Sequence, residues 1–316
     1  MSSNLQSGQA PQTLPRLVPA SFIAVVLIWS TTPLGIVWSS ETVHPTMAVL
    51  LRMVIALLIG GLIILFSNIR LPWNRTAFKL YAFSTIGIVG GMLLSYFAAR
   101  YLGSGIMSLL FGLSPLISGL LAQRLLGEPK FSKMRIVALV LAFFGLGIVC
   151  SAKLALGSEA WVGLVLVLCA VFLFSLSGVL IKTVELAIHP IASTVGALLF
   201  STPLFALAWL LFDASMPIDT WSMRSIIAIF YLGIFGSLIG FIGYFYILQH
   251  LNASTVSLVT LITPVFAMTL GALVNQEHIS QTLIIGAGFV LVGLGLYQWG
   301  DKFMARKRAK SVSQLN

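Results

Sequence analysis

Charged residues are scarce in this sequence. They make up 8% of the 316 residues, whereas 59% of the chain is hydrophobic, and the mean hydropathy is +1.04. A soluble domain carries about a quarter charged residues. The shortage argues against a soluble protein and predicts an all-α integral membrane protein.

Acidic residues are the rarer charged group, and they avoid the long apolar runs. All eight lie outside those runs: Glu41, Glu128, Glu159, Glu185, Asp213, Asp219, Glu277 and Asp301. No pair of carboxylates is therefore expected inside the membrane for acid–base catalysis. The pattern argues against an intramembrane hydrolase, and we predict no catalytic residues.

Metal ligands and phosphate-binding loops are also missing. Cys150 and Cys169 lie inside apolar runs, where packing is favoured over a disulfide framework or a metal site. The four histidines lie near the ends of such runs and lack the three or four ligands of a zinc site. There is no Gly-Lys-Ser/Thr of a phosphate loop. We therefore predict no metal, no cofactor and no ATP site.

Long apolar runs dominate what is present, and each is near the roughly 20 residues that span a bilayer. Ten are predicted: 17–37, 46–66, 80–99, 104–121, 136–152, 161–181, 190–212, 226–248, 253–274 and 282–299.

The sequence repeats itself. Ser104–Glu128 is echoed by Ala253–Glu277, and Pro115 matches Pro264 at a shift of 149 residues. Two halves of five spans each must lie in opposite orientations. A proline inside an apolar helix frees a carbonyl, and interrupted helices at matching places in two halves point to a transporter's binding site. We therefore predict two inverted five-helix repeats with broken fourth and ninth helices.

Basic residues set the orientation. Of the 18 Lys and Arg residues, fourteen lie on the side that carries both termini, and Arg100, Lys153 and Arg224 lie on the other. The positive-inside rule then predicts cytoplasmic termini. The net charge of +10 arises from short loops and the tail, so it indicates topology and not a nucleic-acid partner.

Several weak motifs recur in order over both halves. They are Trp29-Ser-Thr-Thr-Pro33, Pro45 with Arg52, Pro115 with Gly127-Glu128 and then Gly145 and Gly147, and in the second half Phe174, Pro264, Gln276-Glu277 and Gly293-Leu-Gly295. This order resembles the drug/metabolite transporter superfamily, specifically ten-helix members with two EamA-type repeats. We place the repeats at 17–152 and 161–300, between a disordered cytoplasmic lead (1–16) and a basic cytoplasmic tail (301–316).

The resemblance implies a carrier of small metabolites, often amino acids moving outward. Its central cavity would lie between the halves and be lined mainly by helices 1, 3, 4, 6, 8 and 9. We predict a secondary or facilitative exporter in the inner (plasma) membrane, with a small-molecule substrate and the lipid bilayer as partners. A multidrug or nucleotide-sugar-like exchanger and a non-transporting sensor or scaffold are the alternatives. The sequence defines no oligomeric state.

Arg52 is the one charge within an apolar run, where insertion costs roughly 2.5 to 3.5 kcal/mol. Three arrangements of the side chain would offset that cost: it snorkels outward, it bonds carbonyls at a broken helix, or it binds a substrate carboxylate.

Hydroxyls and aromatics cluster on the helices expected to line the cavity. Hydroxyls can bond a carbonyl one turn back, or they can join aromatics in a pocket for a substrate with an apolar part and a few polar handles. We predict the substrate-binding residues to be Trp29, Thr31, Arg52, Tyr96, Ser108, Ser114, Pro115, Ser177, Tyr244, Ser257, Thr260 and Pro264.

Overall fold

The computed structural model describes residue 15 and residues 17–154, 159–184, 188–251, 256, 258–277 and 279–313. Ten long helical segments run through these residues, and no strand occurs among them. They are α1 Leu17–Ser39, α2 Pro45–Phe66, α3 Arg75–Ala98, α4 Ser104–Leu125, α5 Lys133–Leu154, α6 Ala160–Lys182, α7 Pro190–Phe212, α8 Met223–His250, α9 Leu258–Asn275 and α10 Gln281–Ser313.

Helix lengths agree with membrane crossing. Within the described residues, eight of these segments are long and apolar enough to span a bilayer, and Ile262–Asn275 in α9 is a shorter apolar helix. The 22 residues of α5 extend about 33 Å at 1.5 Å per residue. The prediction of an all-α, ten-helix membrane protein is confirmed.

Polar caps start two helices earlier than their apolar runs predict. The Asn74 side chain accepts from the Ala77 amide at 2.8 Å and starts α3 at Arg75. The Ser222 hydroxyl accepts from the Ser225 amide at 3.2 Å and starts α8 at Met223. A capping side chain accepts a hydrogen bond from an unpaired backbone amide at the start of a helix. Because the capped first turn contains polar residues, an apolar run does not include it.

The two repeats, α1–α5 and α6–α10, share part of their packing scheme. A π-helical turn in α3 (Ile86–Gly91) packs mainly on α6, whereas the π-helical turn in α8 (Leu232–Ile239) packs mainly on α2 and less on α1. The second half of α4 packs on α6, as α9 packs on α1. The first half of α4 packs on α9 and joins the repeats. Each repeat holds five crossings, so equivalent helices run in opposite directions.

Glycines bring the helices of the bundle close together. A Cβ at Gly87 would lie 2.6 Å from the Ser177 Cβ, and one at Gly240 would lie 3.1 Å from the Trp29 indole nitrogen. Both glycines belong to or border the π-helical turns. Small residues permit the backbone approach that membrane helix packing requires.

The two matched prolines differ in their effect. The helix of α4 is interrupted at Gly112 and Leu113, directly before Ser114 and Pro115. In α9, by contrast, Pro264 lies inside a helix that runs unbroken from Leu258 to Asn275. The prediction of a broken ninth helix is therefore wrong within the described residues, because the helix continues through Pro264 although the proline donates no backbone hydrogen bond.

Candidate functional site

A cavity of about 580 Å³ opens at the end of the bundle where α4 and α6 finish and α5 begins. We call it the vestibule. Its mouth carries Glu128, Arg135 and Lys182, and Asp301 lies beside the mouth through a 2.6 Å hydrogen bond from Ser132. Ser114 and Pro115, at the break in α4, line its wall. The vestibule therefore joins the chain-terminal end of the bundle to the broken helix at its centre.

A smaller cavity of about 90 Å³ lies beyond the vestibule, and we call it the central chamber. Trp29, Phe174 and Thr260 line both cavities and so form the boundary between them. The chamber's other walls include Thr32, Arg52, Ser95, Ser108, Phe111 and Thr263. Helices from both repeats contribute, so the chamber lies at the interface between the repeats.

Three aromatic rings stand at that boundary. The Trp29 ring centre lies 5.8 Å from that of Phe174 and 5.3 Å from that of Tyr244, and the Phe174 and Tyr244 centres are 6.0 Å apart. Such spacing is that of interacting aromatic pairs. The cluster gives the boundary between the vestibule and the chamber an apolar, π-rich surface.

Arg52 is the charged group of the chamber. Its side chain is 0% exposed, and Nε donates to the Ser237 hydroxyl at 2.7 Å. Nη1 and Nη2 are buried and have no hydrogen-bond partner among the described residues. The snorkelling interpretation is wrong, because the guanidinium points into the bundle and is held there by α8.

The hydroxyls of the chamber fit both interpretations made from the sequence: they bond a carbonyl one turn back, and they also line the pocket. Thr32 donates to the Ile28 carbonyl at 2.9 Å, and Ser95 donates to the Gly91 carbonyl at 2.6 Å. Both residues nevertheless line the chamber. Their protons are used inside the helix, so they offer oxygen lone pairs to a ligand.

Most of the predicted substrate-binding residues meet at these two cavities. Trp29, Arg52, Ser108 and Thr260 line the chamber, and Trp29, Ser114, Pro115, Tyr244 and Thr260 line the vestibule. Ser114 also bonds Ser175 across to α6 at 3.1 Å. Ser257 lies outside the described residues.

Four predicted residues lie away from the cavity walls. Thr31 bonds the Tyr231 hydroxyl at 2.6 Å, and Ser177 donates to the Phe83 carbonyl at 2.7 Å. Tyr96 is 0% exposed, and its hydroxyl has no partner among the residues described. Pro264 packs near Gly112, where an added Cβ would meet its ring at 3.3 Å. None of these four side chains lines the chamber or the vestibule.

The end of the bundle opposite the vestibule is closed by a chain of hydrogen bonds, which we call the seal. Glu277 accepts from the Ser104 amide at 2.9 Å, the Ser104 hydroxyl at 2.7 Å and the Gly105 amide at 3.2 Å. Asn275 donates to Glu277 at 3.2 Å and accepts from the Trp38 indole at 2.8 Å. A carboxylate at a helix N-terminus is well placed, and the chain ties α1, α4 and α9 together.

A polar hollow of about 390 Å³ lies outside the seal and includes His44, Arg100 and Asp213. Partial burial lowers the pKa of His44, the nearby Asp213 carboxylate raises it, and Arg100 lowers it. The His44 Nδ1 to Asp213 Oδ2 distance is 3.7 Å. Because burial dominates, His44 favours its neutral form near pH 7.

Sequence reasoning missed two partnerships. Ser237 is the anchor of Arg52, although the two residues lie 185 positions apart and nothing local marks the serine. Glu277 is the partner of Ser104, although the repeat pairs Glu277 with Glu128 and no local pattern relates it to Ser104. The sequence predicts Thr31 as a binding residue, but its neighbour Thr32 lines the chamber instead.

A bundle with two inverted repeats, a cavity open at one end and a seal at the other is the architecture of a membrane transporter. The family model described as the EamA-like transporter family matches residues 19–151 and 161–298. The chain therefore belongs to this family, within the drug/metabolite transporter superfamily, and is a multi-pass membrane protein.

Curated relatives and a solved structure agree with this assignment. Protein PecM of Dickeya dadantii is 28% identical over 91% of this chain and 94% of its own length. An uncharacterized transporter of Archaeoglobus fulgidus is 24% identical over 85% of this chain and 94% of its own. A crystal structure covering 89% of this chain and 96% of its own has a TM-score of 0.63 at 19% identity. That likeness concerns the fold alone.

Proposed function

We propose that this protein is a secondary or facilitative transporter that exports small amphipathic metabolites, such as amino acids, across the plasma membrane. The observation that carries the proposal is a pair of adjoining cavities, of which the vestibule opens at one end of the bundle, together with a seal at the opposite end. A site reachable from only one side is one half of an alternating-access cycle.

The proposed side of substrate uptake rests on the basic residues. The positive-inside rule places the chain-terminal end in the cytoplasm, and the vestibule opens at that end. In this state the transporter takes up its substrate from the cytoplasm. We also propose the substrate-binding residues to be those that line the chamber and the aromatic boundary, with Trp29, Arg52, Ser108 and Thr260 foremost.

The inverted repeat supplies the second state. Glu128 occupies in the first repeat the place that Glu277 occupies in the second, at the same shift of 149 residues. Glu277 is engaged at the seal, whereas Glu128 is exposed at the vestibule mouth. In the outward-open state the engagement is reversed: Glu277 releases α4, and Glu128 helps to close the mouth.

A disulfide across the seal tests alternation. A Cβ at Gly271 would lie 2.8 Å from the Ser104 hydroxyl oxygen, a separation that suits a disulfide between cysteines at both positions. We expect Ser104→Cys with Gly271→Cys, in a background lacking Cys150 and Cys169, to lose counterflow of labelled amino acids in vesicles on oxidation. Dithiothreitol should restore it.

Ser104→Cys alone and Gly271→Cys alone are the matched controls, the second because a Cβ at Gly271 would also lie 2.7 Å from a Glu277 carboxylate oxygen and displace it. Both single variants should be insensitive to oxidation. Undiminished counterflow by the oxidised pair, with the cross-link verified by mass spectrometry, would contradict alternating access at this seal.

A further inference from the structure

Arg52 gives the chamber a chemical preference. It is the only charged side chain among the described residues of the chamber wall. One of its nitrogens is satisfied by Ser237, and the two terminal nitrogens are buried without partners among the described residues. A buried guanidinium with two free terminal nitrogens presents the geometry that a carboxylate accepts with both oxygens.

The position of Arg52 is held from two sides. Ser237 fixes Nε on α8, and a Cβ at Gly236 would lie 3.0 Å from Nη2. The glycine therefore leaves room for the guanidinium and keeps the backbone of α8 against it. A pre-positioned charge loses little side-chain freedom when a ligand binds.

The size of the chamber limits what reaches Arg52. About 90 Å³ accommodates a small head group, while the vestibule beyond the aromatic boundary offers about 580 Å³. A ligand whose carboxylate lies at Arg52 therefore extends its remaining part past Trp29 and Phe174. That part meets rings spaced 5.8 Å apart and is best apolar or aromatic.

The chamber lacks a matching anion. No Asp or Glu lies among its described lining residues, and Thr32 and Ser95 offer only neutral oxygens. An ammonium group therefore gains much less there than a carboxylate does. A phosphate, with nearly two charges, would in turn be left half unpaired by a single arginine.

We infer that the chamber binds monoanionic carboxylates with an apolar tail, and that it recognises the carboxylate and not the amino group. The inference rests on the proposed transport function and names its substrate class. Amino acids then qualify by their carboxylate, and deaminated analogues of the same shape qualify equally well.

Three probes of one shape test this on the full-length protein in detergent. L-Phenylalanine carries both charges, 3-phenylpropionate lacks the ammonium, and L-phenylalaninamide lacks the carboxylate. We expect calorimetry to give 3-phenylpropionate an affinity within about threefold of L-phenylalanine and the amide at least tenfold weaker, since a hydrogen-bonded charge pair is worth about that factor or more. Equal affinities for all three, preference for the amide, or no binding of either carboxylate would overturn the inference.

Variants locate the effect. Arg52→Gln should reduce carboxylate binding at least tenfold, whereas Arg75→Gln, the same change at an exposed helix start, should leave it intact. If Arg52→Gln does not fold, Gly236→Ala keeps the charge and displaces Nη2, and it should reduce 3-phenylpropionate binding severalfold without changing binding of the amide. Unchanged carboxylate binding in the folded variants would refute the assignment to Arg52.

Transport separates this inference from the proposal beneath it. Counterflow of the amide as fast as that of 3-phenylpropionate, blocked by the oxidised seal, would refute the carboxylate preference and leave the proposed function standing. Counterflow insensitive to the seal would refute the proposed function itself.

Discussion

The two repeats share a shape but not a chemistry. Arg52 in α2 and Ala197 in α7 are equivalent at a shift of 145 residues, and both are 0% exposed. The partner position differs as well, because Ser237 corresponds to Ile88 at the shift of 149. Arg52 and Ser237 thus form a buried charge and its anchor, whereas the two equivalent positions, Ala197 and Ile88, carry apolar side chains. Duplication has thus kept both positions buried but placed a charge at only one of them.

The largest expected effect comes from adding the charge to the wrong repeat. Ala197→Arg would add a guanidinium at a fully buried position, and the equivalent of its serine anchor is Ile88, whose side chain accepts no hydrogen bond, so the cost is about 3 kcal/mol. We expect most of the protein to be lost from the monodisperse peak in size-exclusion chromatography. Ala197→Met separates volume from charge, since overpacking alone costs about 1–3 kcal/mol. An Ala197→Arg protein as well folded as Ala197→Met would show that the second repeat tolerates a charge.

The next effect contrasts the two matched glutamates. Glu277→Gln weakens three hydrogen bonds to α4. A hydrogen bond to a charged group contributes about 1.5–3 kcal/mol to stability. We expect Ser39→Cys, at the fully buried residue beside Trp38, to become at least tenfold more reactive toward a thiol reagent when Glu277→Gln is added. Glu128→Gln is the matched control and should leave that reactivity unchanged, because Glu128 is exposed at the other end. Equal reactivity in both variants would show that Glu277 does not maintain the seal.

A moderate effect is expected from the anchor of Arg52. Ser237→Ala removes the 2.7 Å acceptor of Nε and leaves a third guanidinium nitrogen unpaired, at about 1–3 kcal/mol. We expect lower thermal stability, partly restored by a saturating carboxylate ligand. Ser201→Ala is a matched control, because Ser201 is also buried on a membrane helix and bonds the Ala197 carbonyl. Ligand rescue of both variants to the same degree would argue against a specific link to Arg52.

The smallest effect compares the prolines. Pro264→Ala adds a backbone donor within an unbroken helix and should change the melting temperature by only a few degrees. Pro115→Ala acts at the break in α4, so it should join the two segments and slow counterflow severalfold. Identical counterflow for both variants would mean that the break has no part in transport.

The fold can be predicted from the sequence because the features that determine it, apolar runs and matched stretches, are local and occur in both halves. Apolar runs separated by polar loops predict the helices, and the matched stretches around Pro115 and Pro264 predict the inverted halves. Which of the two matched helices is broken cannot be predicted from the sequence. A proline removes a hydrogen bond at both places, and the surrounding packing decides that α4 breaks and α9 does not.

The site was less predictable for a geometric reason. The sequence marks Arg52 as costly, but its partner depends on the rotation of α8 against α2, which no local pattern encodes. Likewise, Thr31 and Thr32 are chemically alike and adjacent, and only helix rotation assigns Thr31 to Tyr231 and Thr32 to the chamber. Hydropathy identifies which helices meet, and atomic packing identifies which of their faces do.

The close contact between α5 and α10 sets a limit on how the molecule can move. A Cβ at Gly145 would lie 2.6 Å from the Gly286 carbonyl oxygen, and one at Gly293 would lie 2.8 Å from the Ala142 amide nitrogen. Sliding one helix along the other would bring these backbones into collision, so α5 and α10 move together as one rigid body. Spin labels at the exposed Val137 and Val292 should keep one separation whichever end is open, while the other eight helices rearrange beside them.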